Sequence, residues 1–94
     1  MHPSQKQSVS QRINRRDEVA SKLRIISQEM FGMYHIEPTD ESVLREVFAM
    51  DSLDAVEFFM AVEHEFSIDI PDELAAEMRT FGDAVRIITK LTHQ

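Results

Sequence analysis

Ser52 stands in the run Asp51-Ser52-Leu53-Asp54, where a loop passes into a stretch of helical apolar spacing. Asp51 is a good helix N-cap residue, and Asp54, three positions on, puts negative charge in the first turn, where the helix dipole favours it. A side chain just past the cap points out from the end of a bundle. Free backbone N–H groups there favour a phosphate. Ser52 therefore suits a phosphodiester, although a serine in a first helical turn more often does nothing but start the helix. No base or oxyanion arrangement can be named that would make it a nucleophile.

Other residues exclude other chemistries. The chain has no cysteine, so disulfides and thiolate metal sites are out, and any thiol chemistry must come from a cofactor. Its two glycines, Gly32 and Gly82, form no phosphate-binding loop. Glu63-His64-Glu65 point in different directions on one helix and have no second histidine at ligand spacing, so no metal is expected. The acids from Asp51 to Glu65 lack the glycine and spacing of a calcium loop. The six methionines fit an adaptable core or contact face.

The elements that position Ser52 can be read from periodicity. Val19, Leu23, Ile26 and Met30 recur at helical steps, predicting a first helix over about 12–31 that Gly32 closes. A long loop follows, with a short helical turn after Thr39 that carries Leu44 and Phe48 inward. The second major helix runs from Asp51 to about Phe66, with Phe59, Val62 and Phe66 as its core stripe. Leu53, Val56 and Met60 form an apolar flank beside Glu57 and His64, a plausible docking patch. Pro71 takes the first position of a two-turn helix ending near Met78. A last helix spans 83–91, with Val85, Ile88 and Leu91 inward. The fold class is all-α, a four-helix bundle with a long first loop and a short third helix.

Ninety-four residues make one small domain. The charge of −7 is uneven: residues 1–16 carry Lys6, Arg12, Arg15 and Arg16 and no acid, while residues 17–94 carry six basic and seventeen acidic residues, 6 − 17 = −11. We divide the chain into a basic tail or helix extension at 1–16 and a folded domain at 17–94. The arginines of that head could meet an acidic partner or the protein's own acidic face, or could simply be solvated. The acidic domain repels nucleic acid and anionic membranes and attracts basic proteins. No membrane span or secretory signal is apparent, and the Ser, Arg and Lys of the acid-free head bear only a faint likeness to an organelle transit peptide; a cytoplasmic monomer is expected.

Met50 to Glu57 resembles the Asp-Ser-Leu signature of the acyl carrier protein family. The similarity continues through Met60-Ala61-Val62-Glu63-His64-Glu65-Phe66 and Ile70-Pro71-Asp72-Glu73, and covers about residues 17–91. The resemblance implies that Ser52 receives 4′-phosphopantetheine from coenzyme A through a phosphopantetheinyl transferase, with Asp51 and Leu53 as its contacts. It implies that Asp54, Glu57, Met60, Glu63, Asp72 and Glu73 meet that transferase and acyl-transferring or condensing enzymes with basic patches. It also implies an acyl pocket lined by Val56, Phe59, Val62, Ile70, Ala75 and Met78. Such a protein carries thioesters and catalyses nothing itself.

Four features depart from the family's pattern. Ala49 replaces the usual glycine two before Asp51, Phe58-Phe59 replaces smaller aliphatics, His64 stands where an acid is common, and the basic head is unusual. They point to a specialised carrier. Phe59 could shorten the pocket or merely pack the core. The alternatives are an unmodified carrier-like binding or regulatory subunit, and a stand-alone peptidyl or aryl carrier of nonribosomal synthesis. Asp51 speaks against the last.

Overall fold

The structure is a computed structural model that describes residues 14–92. Among the described residues there are five helices, α1 (Arg15–Phe31), α2 (Leu44–Val47), α3 (Ser52–Phe66), α4 (Asp72–Ala75) and α5 (Phe81–Thr92), and no strand. The fold is thus all-α and carrier-like. The short α2 is the helical turn expected in the long first loop, and Leu44 and Phe48 are buried as expected. Residues 1–13 of the expected basic head, Arg12 included, lie outside the described residues.

Asn14 caps α1 by accepting from the Asp17 N–H at 2.8 Å, so Arg15 and Arg16 belong to the helix. Arg15 donates to the Thr92 carbonyl, and Arg16 pairs with Asp40 at 3.2 Å. Both arginines thus meet their own domain, in exposed contacts worth at most about 1 kcal/mol. Gly32 ends α1 with φ +64°, and its N–H donates to the Gln28 carbonyl. The buried stripe of α1 is Val19, Leu23 and Ser27, not the expected run through Ile26 to Met30; Ile26 is half-buried and Met30 exposed. Ser27 fits there because its hydroxyl donates to the Leu23 carbonyl at 2.8 Å. Gln28 Nε2 donates to the Ile36 carbonyl at 2.7 Å and tethers the long loop to α1.

The core stripe of α3 is Ala55, Phe58 and Val62, where the sequence predicts Phe59, Val62 and Phe66. Both sets have the same helical spacing. Aromatic partners decide between them: Phe31 lies 6.0 Å from Phe48 and 6.3 Å from Phe58, ring centre to ring centre. This cluster draws Phe58 inward. Phe59 is left half-buried against Phe58, and Phe66 half-buried under the Lys22 ammonium.

α1 packs against α5 and α3. α5 buries Phe81, Ala84, Val85, Ile87 and Ile88, while Leu91, expected inward, is half-buried. Its start is fixed reciprocally: the Asp83 N–H donates to Thr80 Oγ1 at 3.0 Å, and the Thr80 N–H donates to Asp83 Oδ2 at 3.1 Å. The Thr80 N–H, chiefly, holds the Asp83 carboxyl below its ordinary pKa. The long loop docks on this start, since Phe81 and Gly82 donate to the Ser42 and Asp40 carbonyls at 2.8 and 3.0 Å. A Cβ on Gly82 would meet the Asp40 carbonyl oxygen at 2.9 Å, which explains the glycine.

α4 is one turn, not two, and Pro71 is its N-cap rather than its first residue. After Ala76 the backbone bonds shorten to three-residue turns, Glu77 N–H to Leu74 and Met78 N–H to Ala75. These turns carry Met78 into the core, where a second helical turn would continue the axis.

Candidate functional site

The chain approaching Ser52 is tightly directed. α2 closes with the Phe48 N–H on the Leu44 carbonyl and the Met50 N–H on the Arg45 carbonyl at 2.9 Å. Between them Ala49 takes a left-handed φ of +51°. Met50 is buried and anchors the segment. Asp51 then caps α3, its Oδ1 accepting from the Asp54 N–H at 2.8 Å, while Asp54 Oδ2 accepts from the Asp51 N–H at 3.1 Å. A cap of this kind contributes about 1 kcal/mol to the helix.

Ser52 is consequently the first residue of a fifteen-residue helix and is exposed, held between buried Met50 and buried Ala55. The N–H groups of Ser52 and Leu53 precede any intrahelical acceptor. Among the described residues of this segment, the two adjacent carboxylates bond the backbone, and His64 is twelve residues along α3, about 18 Å by helical rise.

An exposed apolar stripe leaves Ser52 along α3: Leu53, Val56 and Met60, exposed by 65, 55 and 61%. Glu57 is exposed beside it, as are Asp72 and Glu73 on α4. Glu63 is placed differently. It is half-buried, and its Oε2 accepts from the Ile70 N–H at 2.8 Å, so this acid, expected to meet a partner, braces the α3–α4 link. Asp54, half-buried in the cap, is likewise engaged within the chain.

Between α2, α3 and α4 lies a cavity of about 350 Å³. Of the six residues expected to line a pocket, Phe59, Ala75 and Met78 do so. Val56 does not, because the rotation of α3 that buries Phe58 turns Val56 to the outer face. Val62 and Ile70 are buried in the main core, outside the cavity wall. Sequence reasoning missed Val43, Leu44, Arg45, Met50, Ala55, Phe58, Ala76 and Arg79. A signal for some was present: Ala55 on one wall and Ala75 and Ala76 on the other are small and leave the space between the helices unfilled. Ala55 is one turn from Ser52 and Met50 two residues before it, which sets the cavity beside the head of α3.

Comparison with protein families matches residues 17–88 to the family described as phosphopantetheine attachment site. The chain belongs to this family. It is a phosphopantetheine carrier, similar to acyl carrier proteins, and its prosthetic group is 4′-phosphopantetheine. Such carrier domains are generally non-catalytic. The residues of this carrier fit the group: an exposed serine for the ester bond, two N–H groups without helical acceptors beside it, and a cavity next to the helix head. No helix among the carrier's described residues is long and apolar enough to cross a membrane.

Proposed function

We propose that this carrier holds acyl intermediates as thioesters on an arm at Ser52 and presents them to acyl-transferring or condensing enzymes. The observation that carries the reading is the exposed Ser52 at the capped head of α3, next to an apolar cavity. The arm supplies the thiol that this cysteine-free chain lacks. The chain's own residues do three things. Asp51 and Asp54 fix the helix head, on which Ser52 is exposed. Leu53, Val56 and Met60 offer apolar contact to an incoming enzyme, while Glu57, Asp72 and Glu73 steer its basic patch. The cavity, bounded by Phe58 and Phe59, is at the low end of ligand-pocket size, about 300 Å³ upward, which favours a short cargo. Tethering raises the cargo's effective concentration at each partner without catalysis by the carrier.

Intact mass tests the reading. After incubation with coenzyme A and a broad-specificity phosphopantetheinyl transferase, the wild type gains the mass of one phosphopantetheine and Ser52→Ala gains none. An unmodified wild type would leave only a binding or regulatory subunit of the same fold.

A further inference from the structure

Eleven residues line the cavity beside Ser52, and nine of them are apolar; the other two are Arg45 and Arg79. They are two of only six cations in residues 17–94, which hold seventeen acids. The backbone brings them to one wall. The Leu44 N–H donates to the Arg79 carbonyl at 3.1 Å, and Val43 and Thr80 form an antiparallel bridge, so residues 34 positions apart become neighbours (79 − 45 = 34). Both arginines are exposed and so stand at the mouth, not the floor. Neither belongs to the ion pairs found among the described residues, Arg16–Asp40 and Arg86–Asp83.

An acidic domain that lines an apolar cavity with two arginines, neither of them in an ion pair among the described residues, has the complement of a molecule with an apolar body and an anionic end. A guanidinium fork matches a carboxylate in particular. We propose that the cargo is the thioester of a dicarboxylic acid: its chain lies along Phe58, Phe59 and Met78, and its free carboxylate meets Arg45 and Arg79. This inference rests on the carrier reading above. The competing account is that the two arginines lay only their aliphatic stems on the cavity and keep their heads in water.

The test loads the full chain with a straight-chain acyl group or its ω-carboxyl counterpart of equal length, each transferred with the arm from the coenzyme A thioester. Loading is read by intact mass, and shielding by the rate of thioester cleavage by hydroxylamine. The arm's own phosphate is common to both forms and cancels. The carboxylated cargo is expected to be cleaved at least about fivefold more slowly than the neutral one, the scale of one exposed charge-assisted contact. In Arg45→Gln/Arg79→Gln the difference between the two cargoes should fall within about twofold. Equal rates in the wild type, a preference that survives the double substitution, or an equal change for both cargoes would overturn the inference while leaving the carrier reading intact. Failure to load either cargo overturns the carrier reading, and this inference with it.

Discussion

Ala49 holds a left-handed φ of +51° two residues before the cap of α3, at the position where carrier proteins usually have glycine. A residue with a Cβ gives up about 1–2 kcal/mol in that conformation. Glycine removes the strain but gives the unfolded chain more freedom, which costs about 0.4–1 kcal/mol. Ala49→Gly should therefore stabilise the protein by about 0.5–1 kcal/mol, read as a higher urea midpoint with an unchanged slope. A lower midpoint would show that the turn does not strain the alanine. The sequence exposed the missing glycine but not the backbone angle that gives it meaning, since Ala49 is turned by bonds that α2 makes around it. Ser52 was easier to read. Its exposure follows from Asp51 and Asp54, whose mutual bonds span three residues. Glu63 was legible as an acid and no further, because the Ile70 N–H that occupies it lies seven positions away.

The helix ends marked by Gly32 and Asp51 were legible for the same local reason; those of α4 were not, and neither was helix rotation. α3 carries apolar residues around much of its surface, so its spacing alone permits either Phe58 or Phe59 to face inward. Phe31 and Phe48, remote in sequence, select Phe58, and Val56 moves to the surface as a result. The head of α5 allows a test by pH. Bonding from the Thr80 N–H, above all, lowers the Asp83 pKa in the folded state from an ordinary value of 3.8. A carboxyl depressed by folding contributes stability that is complete above its unfolded pKa and is lost as pH falls through the folded one. Urea midpoints of the wild type and Asp83→Asn should thus differ most at neutral pH, the wild type being more stable. The gap should narrow below about pH 4 as Asp83 takes up its proton. A gap independent of pH would mean that shape, not charge, makes the cap.

At the scale of the molecule, the cavity was the least legible feature. Its walls come from α2, α3, α4 and the turn after α4, and the residues that set its charge, Arg45 and Arg79, meet only through the docking of the long loop. Net charge, by contrast, needs no fold to be read, and it makes a separate prediction. The −11 of residues 17–94 gives a basic partner a long-range attraction that ions screen over about 10 Å at 0.1 M salt. The apolar stripe of Leu53, Val56 and Met60 acts only in contact, where salt has little effect. The two contributions should therefore separate in binding kinetics with a basic transferase. Association should slow at least about tenfold between about 0.05 and 0.5 M NaCl, with dissociation nearly constant. Glu57→Gln should lower the association rate and flatten its salt dependence. Met60→Ala should speed dissociation several-fold at every salt concentration and leave association alone. If Met60→Ala instead slowed association and Glu57→Gln changed only dissociation, the acids would be making the contact and the apolar stripe would not be the docking face.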